Sequence, residues 1–163
     1  MKILGIDPGY ATVGYGVIEY NKATFTVVNY GAILTDANTP FEQRLSEIYD
    51  DLCQIINTYK PEFMAVERVF FTTNKKTAID VSQARGVTLL SAVKNGVQLA
   101  EYTPLQVKQA VSGYGKATKS QVQEMTKRIL KLPAIPKPDD TADALAIAIC
   151  HAHTFNSSRI AGK

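Results

Sequence analysis

The sequence has few of the features that mark exported or membrane-bound proteins. It contains only two cysteines, Cys53 and Cys150, and both fall in helix-like apolar patterns, which favours buried thiols over a disulfide framework or a cysteine metal site. No run approaches the roughly 18 consecutive apolar residues of a membrane span, and Asp7 interrupts the N-terminus too early for a signal-peptide core. These absences predict a cytoplasmic protein that makes no membrane contact.

Strong charge, repeats and linkers are also missing. The 18 Lys and Arg residues against 15 Asp and Glu leave a formal net charge of +3, which by itself is weak support for a nucleic-acid partner. A hydrophobic fraction of 45% and a length of 163 residues suit the core of one ordinary globular domain. We therefore expect a single domain at 1–154 and a flexible C-terminal tail at 155–163.

Hydrophobic periodicity predicts an α/β fold. Three strands, Lys2–Asp7, Thr12–Tyr20 and Thr24–Ile33, are separated by short turns and should form an antiparallel meander. A helix should follow Thr39, which with Glu42 forms a predicted capping box. Two more strands, ending at Glu67 and Tyr102, alternate with helical segments, and the last helix should run from about Asp140 to His153. This order predicts a five-stranded mixed sheet with helices on both faces.

Acidic residues stand at special places in this pattern. Asp7 ends the first strand, Glu67 ends the fourth, and Asp140 and Asp143 share one face at the start of the last helix. Since sites in α/β sheets gather beyond the carboxyl ends of strands, these four carboxylates could converge. A cluster that stays ionised at neutral pH needs a cation, and an oxygen-only donor set suits Mg²⁺ or Mn²⁺. A pair of such ions is a standard device for phosphodiester cleavage.

Each acidic residue also has a purely structural interpretation. Asp-Pro-Gly is a common turn, an Asp before a helix is often an N-cap, and a Glu after an apolar strand often just meets solvent. The occurrence of all four acids in this order favours the catalytic interpretation over separate structural roles.

Six segments together resemble one protein family over nearly the whole chain. They are "GIDPGYATVGYGV", "VERVFFTTN", "QARG", "QVKQAVSGYGKATKSQVQ", "KLPAIP" and "DDTADALAIAICHAH". In this order they are similar to the RuvC family of bacterial Holliday-junction resolvases. The resemblance implies a ribonuclease H-like fold and a homodimer that acts beside the branch-migration proteins RuvA and RuvB. It also implies an endonuclease that cuts four-way junction DNA by two symmetric nicks, leaving 5′-phosphate and 3′-hydroxyl ends, in DNA recombination and repair.

The resemblance also implies a set of site residues. Asp7, Glu67, Asp140 and Asp143 match the catalytic carboxylates, which would bind two Mg²⁺ ions per subunit, with Mn²⁺ able to substitute. Asp139 leaves a one-residue ambiguity over the third ligand, and we prefer Asp140 because it is spaced i, i+3 from Asp143.

A second set of residues is expected to contact DNA. Phe70 matches the family's base-stacking phenylalanine, although packing beneath the next helix is an alternative, and Phe71 stays unassigned. Lys108 and Lys119 match phosphate-binding lysines. Lys116 lies in the same glycine-containing loop, and Arg85 extends the surface. The loop is not a P-loop, because the first glycine and the preceding strand are absent.

Other functions remain open at this level. The first stretch also resembles the phosphate loop of actin-like sugar kinases and chaperone ATPases, but those proteins need a second copy of the domain, for which this chain is too short. A related ribonuclease H-like nuclease with another branched or RNA-containing substrate is a closer alternative. A junction-binding module without catalysis would lack the carboxylates.

Overall fold

The structure of the chain is a computed structural model that describes residues 1–68 and 75–161. Its elements, in chain order, are β1 (Lys2–Asp7), β2 (Thr12–Asn21), β3 (Thr24–Leu34), α1 (Phe41–Tyr59), β4 (Phe63–Glu67), α2 (Lys75–Lys94), β5 (Gln98–Tyr102), α3 (Pro104–Ser112), α4 (Lys119–Ile129) and α5 (Asp139–Ala161).

The strands form one five-stranded sheet in the order β3-β2-β1-β4-β5. The first three strands are antiparallel neighbours, whereas β4 is parallel to both β1 and β5. The meander and the mixed sheet that the sequence predicts are thus confirmed. Because β1 and β4 are parallel neighbours, their carboxyl ends lie side by side at one edge of the sheet.

Side-chain alternation along β1 and β4 divides the core into two layers. Leu4 and Met64 face α1 and α2, where they pack with Ile48 and Leu52 of α1. Ile3 and Ala65 point to the opposite face and pack with the three remaining helices. Since successive residues of a strand alternate between faces, Asp7 and Glu67 share the second face, which α5 covers.

Three glycines let α5 lie directly on the sheet. A Cβ at Gly5 would be 2.0 Å from the carbonyl oxygen of Ala144, and one at Gly14 would be 2.0 Å from that of Asp140. At Gly16 the nearest atom would be Cδ2 of Leu145, at 2.5 Å. The missing side chains on β1 and β2 therefore set how closely the first turns of α5 approach the strand ends.

The start of α1 differs from the prediction. The capping box of Thr39 and Glu42 is wrong, because the residue before the helix is Pro40, and no side chain caps it. Pro40 has an extended conformation, with φ −51° and ψ 140°, so the helix begins one residue later than a Thr39 cap requires. The caps of α3 and α4 do have this form, with Thr103 paired to Gln106 and Thr118 to Gln121.

Helix α5 continues to Ala161, into the segment that the sequence analysis treats as a tail. The division into a domain at 1–154 and a flexible tail at 155–163 stays a prediction. Within the described ranges, no helix combines the length and apolar character needed to cross a membrane.

Candidate active site

The site begins where β1 and β4 end. Ile6 is paired in register with Val66, so the residues that follow them, Asp7 and Glu67, leave the sheet next to each other. Adjacent strands are about 4.8 Å apart, and both side chains lie on the α5 face. The structural interpretation, in which Glu67 is only the point where β4 meets solvent, is not supported. The Glu67 side chain is half-buried against other charged groups.

Gly14 brings the first turn of α5 to Asp7. Asp7 is paired with Gly14 across β1 and β2, and the backbone of Asp140 packs against the bare face of that glycine. Asp143 stands one turn further along α5, on the same face as Asp140. The fold thus places the four acids that the sequence singles out around one point at the edge of the sheet.

The neighbouring acid, Asp139, is paired with lysines, chiefly Lys137 and more distantly Lys119, whose Nζ lies 3.9 Å from Asp139 Oδ2. Lys137 Nζ is 2.6 Å from Asp139 Oδ1, and this hydrogen bond lowers the pKa of the Asp139 carboxyl. The negative charges that act on Asp7 are those of Glu67, Asp143 and Asp140. This arrangement supports Asp140 over Asp139 as the third acid of the cluster.

Burial and mutual repulsion perturb the cluster. Burial, followed by the charges of Glu67, Asp143 and Asp140, raises the pKa of Asp7 to about 8. The pKa values of Glu67 and Asp143 are raised as well, and burial is again the largest cause of both shifts. Buried carboxylates with raised pKa values in a cleft are a common property of catalytic and cation-binding sites.

Two lysines line the cleft beside these acids. The cleft has a volume of about 170 Å³, and its wall contains Glu67, Lys108, Lys119 and Asp143. Lys119 Nζ is 2.9 Å from Asp143 Oδ2, and that hydrogen bond raises the pKa of Lys119. Lys108, on α3, is close enough to Glu67 for its charge to lower the pKa of that carboxyl. The two lysines predicted to bind phosphate are thus at the carboxylate cluster.

The other predicted DNA contacts are placed differently. Lys116 is exposed on the loop between α3 and α4. Arg85 is turned toward β5, with its Nη2 atom 2.8 Å from Glu101 Oε1, so much of its charge is already paired. Phe70 and Phe71 lie outside the described residues.

The donor set fits a hard divalent cation. All four acids offer oxygen ligands, and burial together with mutual repulsion raises the pKa values of Asp7, Glu67 and Asp143, a cost that a cation would offset. In the part of the chain that is described, no three acidic, histidine or cysteine side chains are yet close enough to hold an ion. Ligation of a cation by these acids would therefore require side-chain movements, including release of Asp143 by the ammonium of Lys119.

Sequence reasoning did not find the glycines that position the acids. Gly5, Gly14 and Gly16 belong to two strands, and only the pairing of those strands places them under one helix. The signal present in the sequence was their spacing of two residues within β2, which keeps Gly14 and Gly16 on one face.

Comparison with known proteins agrees with this arrangement. The family described as crossover junction endodeoxyribonuclease RuvC matches residues 3–151. A crossover junction endodeoxyribonuclease RuvC from Caldanaerobacter subterraneus subsp. tengcongensis is 55% identical over 156 residues, which cover 96% of this chain and 94% of that protein.

Solved structures show the same fold. Thermus thermophilus RuvC in complex with its Holliday junction substrate has a TM-score of 0.92 and 34% identity, with 97% of this chain and 96% of that one covered. The yeast mitochondrial Holliday junction resolvase Ydc2 has a TM-score of 0.64 at 16% identity, and the superposition covers 93% of this chain and 77% of the Ydc2 chain. The latter likeness shows the fold alone.

The five-stranded mixed sheet, with an acidic cleft where its central parallel strands end, defines a nuclease of the ribonuclease H-like class. Within that class the chain belongs to the RuvC family of crossover junction endodeoxyribonucleases, since the family match and the relatives extend over almost its whole length. The fold and the family expected from the sequence are confirmed.

Proposed function

We propose that this chain resolves Holliday junctions by metal-dependent hydrolysis of two symmetry-related phosphodiester bonds. The observation that carries the proposal is the cluster of Asp7, Glu67, Asp140 and Asp143 beside a cleft that Glu67 and Asp143 line, in a chain of the RuvC family. The T. thermophilus relative was solved with a Holliday junction substrate, which supports the same substrate for this chain.

The four carboxylates would hold the metal. Bound Mg²⁺, with two ions per subunit as the expected number, would supply an activated water and charge stabilisation at the leaving oxygen. The chain's own contribution is to keep the acids desolvated and fixed on two strand ends and one helix. Asp7 must lose its proton before it can act as a ligand, because its pKa in the free protein is about 8.

The lysines would bind the scissile strand. Lys108 and Lys119 line the same cleft as Glu67 and Asp143, so a phosphate held by their ammonium groups would lie against the acids. In the free protein Lys119 neutralises Asp143, and ligation of a cation there would free its ammonium for a phosphate. Lys116, on the adjoining loop, would extend this contact along the DNA backbone. The stacking role of Phe70 stays a prediction.

A homodimer would supply the second active site. Exposed apolar residues on α2 form a stripe, with 67% of Ile79 and 64% of Val93 accessible, and Leu90 lies between them along the helix. A Cβ at Gly86 would meet no atom within 4 Å, so a second helix could approach closely there. Two-fold symmetry of such a dimer would match the two equivalent strands of a four-way junction. Cooperation with RuvA and RuvB, and a cytoplasmic location, stay predictions.

Cleavage of defined substrates tests the proposal. The protein should nick a synthetic four-way junction in Mg²⁺ and leave a linear duplex and an RNA–DNA hybrid of the same sequence intact. Excess chelator should abolish nicking, and Mn²⁺ should restore it. Preferential cleavage of the hybrid would assign the chain to a different ribonuclease H-like activity, and nicking in chelator would contradict metal dependence.

A further inference from the structure

A buried arginine stands behind the turn that follows Asp7. Arg44 belongs to the buried face of α1, at i−4 from Ile48, and only 7% of the residue is exposed. Among the ion pairs of the described residues, none involves Arg44. Burying a cation without a carboxylate partner costs free energy unless hydrogen bonds satisfy it, so the hydrogen bonds of Arg44 indicate what its charge does.

The guanidinium of Arg44 binds the turn between β1 and β2. Its Nη2 donates to the carbonyl of Tyr10 at 3.3 Å, and its Nε donates to Thr35 Oγ1 at 2.9 Å. The guanidinium carbon also lies 5.0 Å from the centre of the Tyr10 ring, and that ring makes an edge contact with Phe41. These contacts fix both the backbone and the side chain of Tyr10.

Thr35 completes the attachment. Its hydroxyl donates to the same Tyr10 carbonyl that Arg44 contacts, and its backbone N–H donates to the carbonyl of Ala11 at 3.1 Å. The turn is already tight, since a Cβ at Gly9 would be 2.2 Å from the carbonyl oxygen of Thr12. The segment 8–11 is therefore held from outside by α1 and by the residue after β3.

We propose that Arg44 is a positioning residue for the carboxylate cluster. Asp7 is the last residue of β1. Strand pairing fixes the backbone before it, and the turn that Arg44 binds fixes the backbone after it. With the turn held, the backbone of Asp7 would stay fixed while side chains of the cluster adjust to a cation. Arg44 thereby raises metal affinity without touching metal or DNA. This inference rests on the metal site of the proposed function.

Binding of Mn²⁺ alone, followed by electron paramagnetic resonance in the absence of DNA, tests the proposal. Arg44→Met keeps an unbranched apolar stem and removes the guanidinium with every hydrogen bond, and it should weaken Mn²⁺ binding about tenfold, as loss of a group that orients metal ligands commonly does. Arg44→Lys, which keeps the charge but not the paired donors, should give an intermediate loss. Thr35→Val should also weaken binding, because it removes the hydroxyl between Arg44 and Tyr10.

Leu52→Ala is the matched control, because Leu52 lies on the same buried face of α1 and contacts only the core. It should lower the melting temperature while leaving the Mn²⁺ dissociation constant at the wild-type value. If Arg44→Met and Leu52→Ala bind Mn²⁺ as tightly as wild type, the positioning role is wrong.

Two further outcomes separate this inference from the metal site itself. If Arg44→Met does not fold, unchanged Mn²⁺ binding by folded Arg44→Lys and Thr35→Val would equally overturn the positioning role. If the wild-type protein binds no Mn²⁺, the metal assignment of the proposed function fails instead.

Discussion

Asp7 shows how one residue combines several physical demands. It ends an apolar strand, starts a tight turn, and stands among three other carboxylates under a helix. Its pKa of about 8 in the free protein means that near neutral pH it is largely protonated, so burial costs less than it would for a charged group. The same burial makes Asp7 a strong ligand once a divalent ion compensates its charge.

The raised pKa of Asp7 predicts how stability depends on pH in chelator. Its unfolded pKa is close to 3.9, so between about pH 4 and pH 8 the folded state binds more protons than the unfolded state. The free energy of unfolding should therefore fall as pH rises through this range. Asp7→Asn cannot titrate, and its stability should exceed that of wild type increasingly toward pH 8.5.

Urea unfolding at pH 5 and pH 8.5, both in chelator, measures this difference. The exposed Asp51→Asn serves as the control and should follow the wild-type pH dependence. Since Asp7 interacts with Glu67, Asp143 and Asp140, the difference reports the titration of Asp7 together with its effect on these neighbours, whereas Asp51→Asn leaves the cluster intact. Parallel pH profiles for wild type and Asp7→Asn would show that the carboxyl is not perturbed.

The two lysines of the cleft should differ in their contribution to DNA affinity without metal. Lys119 is paired with Asp143, whereas no ion pair in the described part of the chain includes Lys108. In chelator, Lys108→Ala should reduce the salt slope of junction binding by about one, and Lys119→Ala should reduce it less. Gel-shift affinities over a salt series measure both slopes.

The control for this series is Lys60→Asn, at the C-cap of α1 and remote from the cleft. Asparagine tolerates the left-handed backbone conformation that Lys60 adopts there, with φ 49°. Its salt slope should equal that of wild type. Equal losses for Lys108→Ala and Lys119→Ala would show that the Asp143 pair does not restrain Lys119.

At the scale of elements, the contact between α5 and the sheet decides whether the site is assembled. A Cβ at Gly14 would meet backbone atoms of Asp140, which cannot give way without moving the helix. Gly14→Ala should therefore cost about 1–3 kcal/mol of stability. It should also weaken Mn²⁺ binding, since the displaced turn carries two of the four acids.

Gly16→Ala is the matched control for that substitution. It lies on the same face of β2, but its two nearest neighbours are side-chain atoms of Leu145, and the nearest backbone atom, Cα of Leu145, is 3.2 Å away. We expect a smaller loss of stability and near-normal Mn²⁺ binding, measured by chemical unfolding and electron paramagnetic resonance. Equal metal affinities of the two variants would mean that the α5 contact does not set the site.

Helix α2 gives the second prediction at this scale. Replacement of Ile79 and Val93 by Glu places charges on the exposed apolar stripe, and the double variant should be monomeric in analytical ultracentrifugation while wild type is dimeric. Leu34→Glu, at an equally exposed apolar position on β3, should remain dimeric. A double variant that sediments like wild type would move the dimer interface elsewhere.

The sequence predicted secondary structure best where adjacent residues determine it. The strand that ends at Asp7 follows from neighbouring residues alone, and so would the capping boxes of α3 and α4, which the sequence analysis did not predict. The Thr39 cap is wrong because α1 begins at Phe41 with Pro40 before it, although the same Thr-Pro pair does start α3 at Thr103. Arg85 was expected at the DNA, but its ion pair depends on Glu101 of β5, which only the folded sheet brings close.

At the scale of the whole molecule, the chain joins two surfaces with different tasks. The acidic cleft lies where β1 and β4 end, and the apolar stripe lies on α2, which packs against α1 on the other side of the sheet. In a dimer, one protein would present two clefts in fixed relation to one branched substrate. The family assignment makes the four-way junction the natural substrate for such an arrangement.

The separation of binding from cleavage follows from this division of tasks. Lysine contacts to phosphates need no metal, whereas hydrolysis needs the carboxylate cluster to be loaded. Asp7→Asn keeps the size of the side chain and its ability to start the turn, so a residue with a turn-forming role alone would leave nicking nearly unchanged. A neutral amide is a much poorer ligand for a divalent ion.

The most direct test measures one junction with both assays in wild type and Asp7→Asn. Gel-shift affinity in chelator should stay near the wild-type value in the variant, because Asp7 without metal is largely protonated near neutral pH and the substitution then removes little negative charge. Nicking of the same junction in Mg²⁺ should be lost. A variant that still nicks at a comparable rate would show that Asp7 only shapes the turn and that the catalytic acids lie elsewhere.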